Sequence, residues 1–309
     1  MKPQIMIAAV CAALCLLTAC AGQPASSVPG DPSDTASAFP AAAAGATVTA
    51  APMRVAALAP CLVDTLWALS AESRLCAAAS ACLAVSPDGV TDIGDQYALD
   101  TDRLTALNLD LVLTLTMTPE LAAWQKAQKV PVAVFDAPAD LDGLRRLNAD
   151  VAVLIWGNGS GEYAETANRA VEDGLAAVSE AIPHTDTPKT VLYLPDDSGA
   201  VATGDTLWQL AFDVLRLDNA AASGTAWQQP EGMKAPDIVL TPADGTEAAK
   251  KRFPSAAVVT VPEEIALRGG AAFSHAVLQL AQTLYPDRFD GGAPESGMEM
   301  SETDSAAAH

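Results

Sequence analysis

"DTDRLTALNLDLVLTLTMTPE", residues 100–120, changes structural character within a few residues. Leu104 and Leu107 keep helical spacing, so 101–107 reads as a short helix. Asn108-Leu109-Asp110 interrupts it as a sharp turn. From Asp110 to Thr116 the chain is apolar with little alternation, the pattern of a parallel strand covered on both faces. Pro119 then suits the first turn of another helix, which carries Leu121, Trp124 and Gln128. Strand and helix in alternation are the units of a parallel sheet.

The same alternation extends outward. Residues 54–59 read as a strand, 62–71 as a helix through Leu62, Leu66 and Leu69, 74–79 as a weak strand and 130–135 as another strand. Residues 141–182 break the pattern. Leu141, Leu144, Leu147, Val151 and Leu154 keep helical spacing, "GNGSG" at 157–161 interrupts it, and Ala167, Val171, Leu175 and Val178 resume it on one face. Gly157 and Gly159 could open a phosphate-binding loop after a strand at 151–156. Glu162, however, stands where the dinucleotide fingerprint has its third glycine, and its charge repels a pyrophosphate. A helix–turn–helix bridge is the favoured reading. Strands at 190–194, 237–241 and 257–261 then alternate with helices at 205–217, 245–252 and 271–285. The expected fold class is α/β: two lobes with central parallel sheets, 53–140 and 184–289, joined through 141–183 by a single long bridging helix.

Both ends of the chain read differently. Met1-Lys2 precedes an apolar run from Ile5 to Leu17, too short for a permanent membrane span. It ends in Leu17-Thr18-Ala19-Cys20, a lipobox pattern in which the Cys20 thiolate would receive a diacylglyceryl group; a secretory signal cut at another small residue is the alternative. Residues 1–20 are thus expected to be a lipoprotein signal peptide, anchoring the chain to a membrane without spanning it. Residues 21–52, rich in Ala, Gly, Pro, Ser and Thr, read as a disordered tether, and 290–309 as an acidic disordered tail. Met298, Met300 and His309 in that tail could collect a metal, but a solvated end explains them as well.

Charge and cysteines limit the partners. The formal net charge is −21, from 38 acidic against 17 basic side chains, which argues against nucleic acid. Cys11 and Cys15 fall within the signal. Cys61, Cys76 and Cys82 would meet an oxidising compartment, where Cys76 and Cys82 are close enough in sequence to form a disulfide; three buried thiols are the alternative. Their spacing fits no zinc pattern, so neither a metal site nor a resident cofactor is expected.

The ordered set of motifs resembles the periplasmic substrate-binding proteins of ABC importers for ferric siderophores, haem and vitamin B12. That family opens with a strand, a Ser-Pro-like turn and a Thr-Glu-x-Leu helix, and here the match is "RVAALAPCLVDTLWALSAESRL" at 54–75. Its middle is matched by "DIGDQYALDTDRLTALNLDLVLT" at 92–114, with Asn108-Leu109-Asp110 in place of Lys-Pro-Asp. "TPELAAWQKAQKVPVAVFDAP", "ATGDTLWQLAFDVLRLDNAA", "APDIVLTP" and "LAQTLYPDRF" follow in the family's order, although its Gly-Gly after the second-lobe helix is absent. The resemblance covers nearly everything from 54 to 289.

The resemblance implies ligand in a cleft between two lobes that move little, and delivery to a permease and its ATPase. One acidic residue per lobe docks on the permease; Asp102 and Glu231 are the nearest candidates here, though Asp102 also suits a helix start for electrostatic reasons alone. Ligands of open α/β sheets sit at the carboxyl ends of strands. That rule nominates Cys61, Gln96, Tyr97, Trp227 and Arg268, with the two aromatic rings suited to a flat or macrocyclic chelate. The family's haem-ligating tyrosine would fall near Asp95 or Gln96, so Tyr97 is out of step. Trp67, Trp124 and Trp208 lie in amphipathic helices and read as core.

The function expected from these residues is a lipid-anchored, extracytoplasmic, monomeric carrier of a metal chelate: a corrinoid, a ferric siderophore or haem. The few basic residues near the cleft favour a neutral or cationic cargo. An interaction or sensory lipoprotein that keeps the fold without transport is the alternative. An enzyme is not expected, since no Gly-x-Ser-x-Gly elbow or paired histidine and nucleophile occurs.

Overall fold

A computed structural model describes residues 38–196, 198–227, 233, 235–262, 265 and 268–289. The first lobe begins earlier than its composition indicates. β1 (Ala41–Ala43) and β2 (Ala46–Val48) form an antiparallel hairpin, and Ala41, Ala46 and Val48 are buried in the lobe's core. The tether expected over 21–52 therefore does not extend through 38–52, and 21–37 lies outside the described residues. Side chains this small bury only because a wall stands ready for them: the hairpin packs on the later helix 141–156, and Val134 donates its N–H to the Ala44 carbonyl at 2.9 Å.

Next come β3 (Val55–Ala57), α1 (Pro60–Ala68), β4 (Leu75–Ala78), β5 (Thr91–Asp92), the small hairpin β6 (Gly94–Asp95) and β7 (Ala98–Leu99), α2 (Thr101–Ala106), β8 (Leu111–Thr114), α3 (Pro119–Gln128) and β9 (Val132–Val134). The five-stranded sheet runs β5-β4-β3-β8-β9 and is parallel throughout. Every residue of β8 is buried, as its unbroken apolar pattern requires.

The interruption at 108–110 is a clamp. Asn108 takes a left-handed φ of 48°, a conformation asparagine tolerates better than most residues, and this turns the chain out of α2. Asp110 Oδ2 then accepts the backbone N–H groups of Met53 and Arg54 at 2.8 and 2.9 Å, fixing β8 beside the start of β3. Arg54 Nε closes the loop by donating to the Leu107 carbonyl at 2.7 Å.

α4 (Leu141–Trp156) and α5 (Gly161–Ala181) form the bridge. Both pass from one core to the other. In α4, Leu144 belongs to the second core and Leu147 to Ile155 to the first; in α5, Ala164 and Ala167 belong to the first and Val171, Leu175 and Val178 to the second. The bridge is thus a helical hairpin whose longer helix, α5, reaches into both cores. Asn148, fully buried, accepts from Thr65 Oγ1 at 3.2 Å and donates to Asn168 at 2.8 Å, tying α1, α4 and α5 together.

The second lobe contains β10 (Thr190–Tyr193), α6 (Leu207–Val214), β11 (Asp218–Asn219), β12 (Ile238–Thr241), α7 (Thr246–Arg252), β13 (Ala257–Thr260), α8 (Phe273–Leu284) and the short α9 (Pro286–Phe289). Its parallel sheet runs β11-β10-β12-β13. The clamp of the first lobe recurs here. Asp237, just before β12, accepts from the Thr190 backbone N–H at 2.8 Å and from its hydroxyl at 2.9 Å. These bonds hold the Asp237 carboxyl below the usual carboxylate range.

Gly157, between the bridging helices, has φ 87° and faces the Ala38 carbonyl, which a Cβ would meet at 2.6 Å. Asn158 donates its N–H to that same carbonyl at 2.8 Å. Gly157→Ala should therefore lower stability by about 1–3 kcal/mol. The effect would appear as a lower urea midpoint with an unchanged slope.

Candidate functional site

The carboxyl ends of both sheets face one cavity of about 290 Å³. The first lobe supplies Ala59, Pro60 and Cys61 after β3, Leu115 after β8, and Ala137 and Pro138 after β9. The second supplies Leu207, Trp208 and Ala211 from α6, Trp227, Ile265 and Arg268 from loops, and Phe273 and Val277 from α8. Apart from Asp205, Thr206 and Arg268 the walls are apolar.

One wall carries Trp208 and Trp227, backed by the buried rings of Tyr193 and Phe212. The Trp208 ring stacks on Tyr193 with centroids 3.8 Å apart and planes 16° off parallel. Trp227 meets the edge of Tyr193 at 6.4 Å and 70°, and Phe212 lies tilted against Trp208 at 5.7 Å. Trp227 itself has a left-handed φ of 58°, unusual for a bulky residue, and remains 46% exposed at the cavity. Asp205, at the rim, accepts from the Thr203 hydroxyl, and that bond holds its carboxyl below the usual range.

No protein-family model and no curated protein matches the chain. Solved structures do match. The periplasmic heme-binding protein BhuT, solved with two hemes, superposes with a TM-score of 0.62 at 24% identity, over 76% of this chain and 98% of its own. The periplasmic heme-binding protein HutB of Vibrio cholerae gives 0.61 at 20% identity, over 76% and 99%. A periplasmic heme-binding protein from Pseudomonas aeruginosa gives 0.59 at 18%, over 76% and 93%. The fold is that of the class III periplasmic binding proteins.

Within this fold, three of the five residues nominated from sequence line the cavity: Cys61, Trp227 and Arg268. Tyr97 and Gln96 do not. They form the turn between β6 and β7, which leaves Tyr97 63% exposed. Asp102 is exposed in the first turn of α2, whose cap is the neighbouring Asp100, accepting from Arg103 N–H at 2.9 Å. Glu231, Cys20 and the tail lie outside the described residues.

Cys76 and Cys82 are free thiols, which corrects the expected disulfide. The strand end and 3₁₀ turn between them carry the sulfurs to different neighbours. Cys76 Sγ lies 3.6 Å from the Val55 carbonyl on β3, whereas Cys82 is fully buried and interacts electrostatically with Cys61 and Asp64. Of the tryptophans expected in the core, Trp208 packs against the second core and also lines the cavity, whereas Trp67 is 41% exposed. Trp124 is buried, and its indole N–H donates to Thr105 at 2.9 Å. Among the described residues, no group of three or more His, Cys, Asp and Glu side chains could hold a metal.

The residue sequence reasoning passed over is Asp64. It stands alone among the apolar positions of α1, a carboxylate with no basic neighbour in the helix, and that isolation was its signal. The structure buries it and pairs it with Arg268. Burial is the larger influence, and it lifts the Asp64 carboxyl from 3.8 to about 6 despite the opposing pull of the guanidinium. Because the folded protein holds this proton more tightly than the unfolded chain, the contribution to stability is complete below the unfolded value and disappears as pH rises through about 6. Against Asp64→Asn, which does not titrate, the wild type should lose about 2 kcal/mol of relative stability between pH 4 and 7. Denaturant unfolding of both proteins across that range measures it.

Proposed function

We propose that the protein captures a metal chelate in the cleft between its lobes and delivers it to an ABC permease and its ATPase. Haem, a corrinoid or a ferric siderophore fits this description. The observation that carries the reading is the pair of indoles, Trp208 and Trp227, lining an apolar cavity to which both lobes contribute, with Tyr193 packed behind them. Flat faces bury much area with few rotamers to freeze. The shared fold with heme-binding proteins supports the same class of cargo. The cavity volume is near the low end of the ~300–1,000 Å³ usual for small-molecule sites, so the cargo inserts an edge and leaves the rest at the mouth.

In this reading Cys20 carries the lipid that holds the protein at a membrane, and Asp102 and Glu231 contact the permease. The small cavity volume is the one feature that favours the alternative, an interaction or sensory lipoprotein without cargo.

Thermal unfolding of a soluble form beginning at Ala21 tests the proposal against haemin, cobinamide, cyanocobalamin, and ferric hydroxamate and catecholate chelates. A cargo present at 100 times its Kd adds about 2.7 kcal/mol and raises the midpoint. Trp208→Ala and Trp227→Ala should each weaken that cargo at least about tenfold, or ~1.4 kcal/mol. No shift with any chelate on a folded sample removes the proposal.

A further inference from the structure

The cavity has an ionic floor made by both lobes. Arg268, on the segment between β13 and α8, lines the cavity and donates to Asp64 Oδ1 on α1. The Asp64 side chain is 0% exposed and that of Arg268 26%, so a cation faces the cavity and a buried anion stands behind it. The Gly270 backbone N–H also approaches this carboxyl, yet its second oxygen, Oδ2, is buried without a well-formed hydrogen bond among the described residues. The contact is tight: a Cβ on Gly270 would meet the Cys61 carbonyl oxygen at 2.4 Å and Asp64 Cβ at 2.8 Å. Water therefore reaches Arg268 but not Asp64.

We propose that Arg268 receives an anionic group of the cargo and that Asp64 takes up one proton from solvent as that group is seated. The inference rests on the cargo reading above and adds the charge class and the regulation of the same site; the anionic group replaces the neutral or cationic cargo that the scarcity of basic residues in the sequence favours. A single guanidinium that already compensates one buried carboxylate cannot neutralise a second anion in a water-poor floor, so one of the two anions must be protonated. Asp64 is that anion, because burial already holds its carboxyl at about 6 and the cargo group faces the open cavity. Among the described residues, the other ionisable groups facing it do not compete. Cys61, on its own helix, and Cys82, from the 3₁₀ turn, are thiols that burial pushes up to about 12, so both stay neutral. No covalent bond of the cargo changes; the carboxylate becomes a carboxylic acid.

The sign follows directly. Anionic cargo binds more tightly as pH falls, while neutral cargo is indifferent. With Asp64 at about 6 in the free protein, and raised further by the negative charge of the seated cargo, affinity changes about tenfold between pH 7 and 5.

Two flat fluorescent probes test this on the full chain: 1-pyrenesulfonate, ionised throughout, and 1-pyrenemethanol, its neutral counterpart. Wild type should bind the sulfonate about tenfold more tightly at pH 5 than at pH 7 and the alcohol equally at both. Asp64→Asn should bind the sulfonate tightly at both pH values. Arg268→Gln should lose the preference for the sulfonate while still binding the alcohol, and it carries the test alone if the first variant does not fold. A sulfonate affinity in wild type that ignores pH overturns the proposal, as does a slope that survives in Asp64→Asn. Binding of the alcohol with no sulfonate binding at either pH overturns the anion site but leaves the aromatic cleft standing. Binding of neither probe overturns both.

Discussion

The bridge belongs to two hydrophobic cores at once, and the rest of the structure depends on that. α5 places Ala164 and Ala167 in the first core and Val171, Leu175 and Val178 in the second, and α4 runs back beside it with Leu144 in the second and Val151 to Ile155 in the first. A helix of this length spans about 31 Å at about 1.5 Å per residue, enough to reach from one lobe into the other. Because its backbone is hydrogen-bonded throughout, it cannot bend without breaking those bonds or unpacking a core. The lobes are therefore held at a set separation, and the cavity between them exists before any ligand arrives.

That constraint explains the chemistry of the floor. If the lobes are held apart by the hairpin, groups from each side meet only where both sheets' carboxyl ends converge. Arg268 and Asp64 meet there, and Gly270 allows the chain to approach α1 closely enough for the pair to form. An ion pair so deeply buried contributes little net stability, since desolvation offsets its attraction. Its retention at the base of a cavity is better explained by what it does to a ligand's charge than by what it does to the fold. In the proposed reading the aromatic wall supplies area and the floor supplies discrimination.

The repeated clamp gives both lobes the same start. Asp110 and Asp237 each precede a fully buried strand and each accept the backbone N–H groups that open the neighbouring first strand. Two lobes built alike in this way present their strand ends to a common cleft.

Much of this was legible in the sequence. The apolar runs 111–114 and 238–241, the turn at Asn108 and the amphipathic stretches either side of 157–161 announce two α/β lobes and a helical bridge. Where reading failed, the missing information lay in distant partners. Ala41, Ala46 and Val48 resemble a tether until α4, a hundred residues on, gives them a surface to pack against. Trp208 shares the apolar face of α6 with true core residues, and periodicity does not say that part of that face borders a cavity. Tyr97 sits beyond a strand end as the rule requires, yet the β6–β7 hairpin turns it to solvent. Asp64 was visible as a misplaced charge, but its partner is 204 residues away in sequence.

The central claim is that a flat cargo is held by both lobes at once. Hydrogen exchange on the protein with and without haemin or cobinamide tests it most directly. The account expects protection within 60–66 of the first lobe together with 207–211 and 273–280 of the second. Protection confined to one lobe, or none with either compound, would contradict it.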